Sequence, residues 1–386
     1  MHYLDHAATT PLDPRVKDAM LPYLDHAFGN PSSIHRLGQE AKRAVETARR
    51  QVAELVGAKA PEVIFTGSGT EADNLALFGL TEADGLQGAH IVISAIEHHA
   101  VLHAADRLER LGASVCRVGP ERDGRLSVDA VLAALRPNTR LVSVMWVNNE
   151  TGVVQPIAEL AAALRQRHIL FHTDAVQAAG HLTIRFSDLG VDALSLSAHK
   201  LSGPKGVGAL VLRGGVPVDP LLVGGAQERS RRAGTENVAG IVGFGQAAAL
   251  WGSEQSTRQS HLEELARRLR QGLATIPGAL FHGATAENVG HIVNVRFADV
   301  DGEALLLNLD LAGVAASSGS ACTSGSLDPS HVLMAMGMDR QEAAGAVRFS
   351  LGVASTEQDV AAAITATAQA VERLRHLATS TGEVSR

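Results

Sequence analysis

The first residue in this chain whose position invites chemistry is a lysine at the end of an apolar strand. The run Asp192-Ala-Leu-Ser-Leu-Ser-Ala-His-Lys200 feeds into the glycine-rich turn Leu201-Ser-Gly-Pro-Lys-Gly-Val-Gly208 and a second apolar run ending at Leu212. Polar ends of strands are where α/β sheets meet their ligands. Lysine forms a Schiff base with an aldehyde once desolvation or a neighbouring cation lowers its pKa. A solvated turn lysine is the commoner occupant of such a position, so Lys200 needs corroboration.

Corroboration comes from two other strand ends. Phe65-Thr-Gly-Ser-Gly-Thr-Glu-Ala-Asp-Asn74 follows a strand and opens a helix, so Gly69 and Thr70 can turn backbone N–H groups and a hydroxyl toward an anion. It lacks the Gly-Lys-Ser/Thr of a P-loop, and Ala72 stands where a dinucleotide fingerprint needs its third glycine. A Ser/Thr-capped helix would give the same string. His172-Thr-Asp-Ala-Val-Gln177 places an acid, Asp174, where it could hold a protonated pyridine nitrogen. Each residue alone has a commoner explanation, a turn or a cap. Together, a lysine for an aldehyde, an aspartate for a ring nitrogen and a cradle for a phosphate are what pyridoxal 5'-phosphate chemistry asks of a protein.

Three further stretches carry reactive or binding groups. Ile96-Glu-His-His-Ala-Val101 offers His98 to lie flat on a cofactor ring and move protons. The helical spacing of His99 and His103 suggests metal, but with no third ligand nearby in sequence no metal site is expected. Asn149, in Asn148-Asn-Glu-Thr-Gly152, could meet a substrate carboxylate or a ring oxygen, or form an Asx turn. Ala316-Ser-Ser-Gly-Ser-Ala-Cys322-Thr-Ser-Gly-Ser-Leu-Asp-Pro329 surrounds a thiol with small polar residues, unlike a buried structural cysteine, and reads as a mobile loop bearing an accessible nucleophile. Arg348 interrupts an apolar strand and needs an anionic partner, either a substrate carboxylate or an internal acid.

Elements that position these residues can be read from hydrophobic period. Five apolar runs, 62–66, 90–94, 114–118, 141–147 and 168–173, alternate with helical patterns, and two more flank Lys200. That alternation predicts an α/β domain with a mainly parallel, seven-stranded sheet covered on both faces. Cys116 falls within one of these strands and is expected to be a buried small apolar residue. Helices are expected over 14–24 and 37–56. Beyond Trp251 a polar stretch, 252–260, leads to helices at 261–273, 302–311 and 356–377 and strands at 279–282, 292–297 and 346–351, with a frayed end from 378. The irregular order predicts a smaller α+β domain from 252 to 386.

The composition agrees with an ordinary globular protein: 386 residues, 45% hydrophobic, 19% charged, formal charge -7. Scattered arginines argue against a nucleic-acid surface. No apolar run approaches the ~20 residues of a membrane span, and the first ten residues lack the order of a signal peptide. Two cysteines, Cys116 and Cys322, form no disulfide framework and suit the reducing cytoplasm.

In its ordered motifs the chain resembles the pyridoxal-phosphate cysteine desulfurases of the NifS and IscS type, in the class V aminotransferase group. The matching segments are Tyr3-Leu-Asp-His-Ala-Ala-Thr-Thr, Gly29-Asn-Pro-Ser-Ser, Glu97-His-His-Ala-Val, Val147-Asn-Asn-Glu-Thr-Gly, Thr173-Asp-Ala-Val-Gln, Ser197-Ala-His-Lys, Arg232-Ala-Gly-Thr-Glu-Asn, Ser317-Ser-Gly-Ser-Ala-Cys-Thr-Ser and Arg348-Phe-Ser-Leu. They span nearly the whole chain. Two loops depart modestly, with Gly67-Ser-Gly-Thr70 and Gly224-Gly-Ala226 where the family often has Ser-Gly-Gly-Thr or Ser-Gly-Ala-Thr and Gly-Gly-Gly.

The resemblance implies a fold type I homodimer with Lys200 in Schiff-base linkage to the cofactor. It implies His98 on the ring, Asp174 on its nitrogen and Gln177 on its phenolic oxygen. Gly69, Thr70, Ser197 and His199 would hold the phosphate, with Thr235 reaching in from the other subunit. Asn149 and Arg348 would hold the carboxylate of L-cysteine. Cys322, in a loop at about 317–329, would take the substrate sulfur as a persulfide for an iron-sulfur scaffold protein or another acceptor. The family's arm returns to the small domain, which makes the expected division 12–251 against 1–11 with 252–386. Rivals are a selenocysteine lyase or aminotransferase of the same fold, or a non-catalytic scaffold-docking protein.

Overall fold

Alternating small and branched apolar residues can bury both faces of a strand, and the run Ala193–Ser197 is buried at every position. The computed structural model describes residues 1–82, 85–318 and 329–383. In chain order its strands are β1 (His2–Tyr3), β2 (Val63–Thr66), β3 (His90–Ser94), β4 (Ser114–Val118), β5 (Thr139–Ser143), β6 (Leu170–Asp174), β7 (Ala193–Ser197), β8 (Gly208–Leu212), β9 (Ala279–His282), β10 (Ile292–Phe297), β11 (Val314–Ala315), β12 (Ser317–Ser318) and β13 (Ala346–Ser350). A seven-stranded sheet runs β2-β8-β7-β6-β5-β3-β4. Only β8 is antiparallel to its neighbours.

Along β3 the side chains alternate between two cores. Ile91 and Ile93 pack with Leu75, Leu77, Val101 and Leu210 on one face, while Val92 packs on the other with Phe171, Leu196, Phe244 and Trp251. Each such fully buried side chain contributes about 1.5–3 kcal/mol relative to exposure. With both faces covered, the strand ends are where polar side chains can gather.

Two pairings level those ends. Thr66 of β2 and Ser197 of β7 both sit opposite Gly208 of β8, which sets the turn after β2 beside the turn after β7. Gly208 is required there: a Cβ would lie 2.5 Å from the backbone carbonyl carbon of Ser68. The next strand over pairs Asp174 with Ser195.

A second sheet runs β12-β13-β10-β9, and the arm's β1 pairs in parallel with β11, His2 opposite Val314. Arg348 occupies the middle of β13, with Asn294 on one side and Ser317 on the other.

Several expectations from sequence need correction. The polar stretch 252–260 does not merely lead into a helix at 261–273 but is itself helical: a single helix runs Val238–Ala274. Their polarity serves contacts, since Gln255 Nε2 donates to Gly180 O (3.3 Å) and Leu182 O (3.2 Å), Gln259 Nε2 to His181 O (2.6 Å), and Arg258 pairs with Glu254 at 2.7 Å. The fifth strand stops at Ser143 instead of 147, because the Glu97 carboxylate, not β3, takes the Met145 N–H at 2.7 Å. Cys116 is only half-buried, on the edge strand β4. The last helix spans Glu357–Glu383 and so passes the expected frayed start at 378.

Candidate active site

Five strand exits converge on one cavity of about 280 Å³. Its lining includes Ser68, Gly69 and Thr70 after β2, His98 after β3 and Met145 and Asn149 after β5. Asp174 and Gln177 come from the end of β6, and Ser197, His199 and Lys200 from the end of β7. Arg348 and the arm residues Ala7 and Ala8 close the other side. A larger cleft of about 600 Å³ lies elsewhere, around the Arg49–Glu228 ion pair, and none of the expected site residues is in its lining.

Lys200 closes a single turn of tight helix, Ala198–Lys200. Its Nζ donates to the carbonyl of Ala8 at 2.9 Å and to that of Ala7. Gln177 Nε2 also donates to Ala7 O, at 2.9 Å. Thus the arm's backbone steadies both residues.

Asp174 is 5% exposed, and burial raises its pKa to about 6 against the opposing effects of the Val176 N–H (2.8 Å) and the Lys200 charge. The Val176 N–H and the Lys200 cation are the two influences that favour its carboxylate form. His98 caps the helix His99–Arg110, its Nδ1 accepting from Ala100 N at 3.1 Å. Burial, then the charge of Lys200, lowers its pKa to about 4, so the ring is neutral and carries its proton on Nε2. Burial likewise lowers His199 to about 4, and its Nδ1 lies 3.1 Å from Thr9 Oγ1.

The cradle is a helix start, Gly69–Glu82. Ser68 Oγ accepts from Glu71 N at 3.0 Å, so the capped-helix explanation holds in part, while Thr70 is left to line the cavity. Glu71, which would repel an anion here, is paired with Arg232 at 2.8 Å. A Cβ on Gly69 would sit 3.0 Å from Val176 Cγ2 and 3.2 Å from Ser197 Cβ, which shows how closely the helix end meets β7.

The Asx turn after β5 belongs to Asn148, whose Oδ1 accepts from the N–H groups of Glu150 and Thr151 at 3.0 Å each. Asn149 is thereby presented to the cavity. Arg348 is 2% exposed. Its Nη2 donates to Asp5 Oδ1 at 2.8 Å and its Nη1 to Asn149 O at 2.9 Å. Its Nε has no hydrogen-bond partner among the described residues.

Thr235 is exposed and lines no part of this cavity within the chain. Cys322 lies outside the described residues. The His99 ring lies between those of His103 and His331, tilted against both, but among the described residues no group of three or more His, Cys, Asp or Glu is arranged for a metal ion.

Sequence reasoning misses the buried acids Asp73 and Glu97 and the carbonyls of Ala7 and Ala8. Asp73 and Glu97 stand inside motifs quoted above, so an acid facing an apolar strand exit is a usable signal. Backbone carbonyls give none.

This donor set fits pyridoxal phosphate: an anion cradle, a buried acid at the floor and an amine at the rim. Residues 2–362 match the family model described as aminotransferase class-V. The chain is 46% identical over 375 residues to a protein of Methanosarcina thermophila named cysteine desulfurase IscS, covering 97% of this chain and 93% of that one. Among solved structures, a NifS-like protein superposes with a TM-score of 0.90 at 35% identity, covering 96% of this chain and 99% of that one. A structure titled SspA in complex with cysteine has a TM-score of 0.81 at 34% identity, covering 92% and 100%. The chain belongs to the aminotransferase class-V family, and its fold is that of pyridoxal-phosphate enzymes of fold type I. Within that family it stands with the cysteine desulfurases.

Proposed function

We propose that this enzyme converts L-cysteine and the thiol of Cys322 to L-alanine and a Cys322 persulfide. The observation that carries the reading is one cavity holding the Lys200 amine, the Asp174 carboxylate and the Arg348 guanidinium. Bound there, pyridoxal phosphate supplies an aldehyde for amines and a ring that accepts electrons. Lys200 would hold the aldehyde, Asp174 the ring nitrogen, Gln177 the phenolic oxygen, and Gly69, Thr70, Ser197 and His199 the phosphate.

The chain's own groups have definite tasks. Arg348 and Asn149 hold the substrate carboxylate, which orients the Cα–H toward Lys200. Lys200 Nζ takes the Cα proton, and neutral His98 relays protons through Nε2. Cys322 attacks the substrate sulfur as a thiolate, so the S–C bond breaks, an S–S bond forms and the carbon gains hydrogen.

Thr235 completes the phosphate site from a second copy of the chain. A homodimer is supported by Phe28, Ile34 and Val223, which are 73%, 94% and 82% exposed and call for cover. We assign the enzyme to the cytoplasm and its persulfide to an iron-sulfur scaffold protein or another thiol acceptor. No helix among the described residues is long and apolar enough to cross a membrane.

The test is Cys322→Ala in the full chain. The variant should bind cofactor with unchanged absorbance and release no alanine from cysteine. Alanine formed at the wild-type rate removes Cys322 from the reaction.

A further inference from the structure

Beside Asp174 lie two more carboxyl groups that the reaction does not use. Asp73 projects from the helix Gly69–Glu82, is 1% exposed and lines the cavity. Its Oδ1 has no hydrogen-bond partner among the described residues. Glu97, fully buried between β3 and His98, accepts at Oε1 from Ser94 Oγ and from Met145 N, while its Oε2 has no partner among the described residues.

The basic side chain nearest Asp73 in the structure, His172, is already occupied. His172 Nε2 stands 3.7 Å from Asp73 Oδ1, beyond hydrogen-bond range, and bonds Ser195 Oγ at 2.9 Å, while its Nδ1 bonds Ser143 Oγ at 2.8 Å. Two serine partners hold the ring, and burial lowers its pKa to about 3, so it is neutral. No buried ion pair forms between His172 and Asp73.

We infer that Asp73 is a positioning residue for the ring-nitrogen contact: it retains its own proton, so that the single negative charge of the three carboxyl groups rests on Asp174. This rests on the assignment of Asp174 to the ring nitrogen. Two neighbouring buried carboxyl groups cannot both ionise cheaply. An anion at Asp73 would raise the proton affinity of Asp174, and the proton shared with the ring would then settle on Asp174. The groups facing Asp73 point the same way. Burial first, then the charge of Asp174 and that of Glu97, raise its pKa, with only Ser195 opposing. Glu97 is raised to about 8, chiefly by burial. Asp174, which also faces the Lys200 cation, is the most acidic of the set.

The test compares wild type, Asp73→Asn and Asp174→Asn as full-length protein, with and without cofactor. Asparagine keeps the shape and the neutral charge inferred for Asp73. A buried acid that retains its proton after the unfolded chain has lost it makes stability fall as pH rises, tenfold in the folding equilibrium per pH unit for one proton. Asp73→Asn apoprotein should therefore lose stability less steeply than wild type between about pH 5 and 7, by up to that factor. Its loaded form should keep the wild-type midpoint in the pH titration of cofactor absorbance, whereas Asp174→Asn should displace it. An apoprotein slope equal to wild type overturns the inference, because Asp73 is then ionised in the fold. An unmoved midpoint in Asp174→Asn instead overturns the ring-nitrogen assignment, and is seen separately from the slope. If Asp73→Asn does not fold, infrared difference spectra between wild-type and Asp73→Ser apoprotein at neutral pH decide. Loss of a carboxylic-acid C=O band on substitution supports the inference, and loss of a carboxylate band alone overturns it.

Discussion

The two walls of the cavity are built on different principles. The sheet wall presents side chains from strand exits locked by their pairing: Asp174 opposite Ser195, Ser197 opposite Gly208. The facing wall, made by the arm and β13, presents the carbonyls of Ala7 and Ala8 and one guanidinium, Arg348, tied to Asp5 of the arm. On the function proposed above, one wall would carry the chemistry and the other would set how the amine and the substrate are held. Substitutions on the first should therefore stop the reaction, and those on the second should weaken binding.

The sharpest break is Lys200→Ala. It removes the amine from the sheet wall, and turnover should fall by more than the roughly 10²–10⁴-fold that a general base alone supplies. Absorbance and borohydride trapping would show no covalent attachment of the cofactor. On the facing wall, Arg348→Ala should raise the KM for cysteine about 10- to 150-fold, matching the ~1.5–3 kcal/mol of a lost charge-assisted hydrogen bond. Steady-state kinetics separate the two outcomes, and a larger fall in kcat than rise in KM would erase the division between walls.

The smallest effect concerns the floor of the sheet wall. Glu97 would ionise near 4.5 in the unfolded chain but holds its proton to about pH 8 in the fold. Its contribution to stability is thus fully present below about pH 4.5 and is lost as pH rises toward 8. Glu97→Gln apoprotein should show a flatter loss of melting temperature across that window, measured by calorimetry.

Legibility from sequence follows the same division. The sheet wall is lined by side chains at strand exits, so hydrophobic period and turn punctuation are enough to bring Lys200, Asp174, Thr70 and His98 to one cavity. Even there, inward-facing residues such as Asp73 and Glu97 look like scaffolding, because their neighbours in sequence are helix-forming or apolar. The facing wall acts through backbone carbonyls, which every residue carries, so Ala7 and Ala8 leave no mark. Arg348 announces a need for an anion without saying whether substrate or an internal acid supplies it, and Asp5 is one such acid. The stretch 252–260 misleads because glutamines that bond loop carbonyls from a helix have the composition of a loop.

The arm's contacts also carry a consequence for biosynthesis. Residues near the start of the chain meet partners close to its end: Ser350 N donates to Leu4 O at 2.7 Å, and Ala7 N to Ser350 Oγ at 2.8 Å. All seven strands of the large sheet lie before residue 213, and the helix that covers one of its faces ends at Ala274, so this part can form while the ribosome is still at work. A nascent chain holding that sheet still lacks Arg348 and the seat for its own first residues. Sulfur chemistry therefore waits until β13 has left the ribosome and the arm has docked on it.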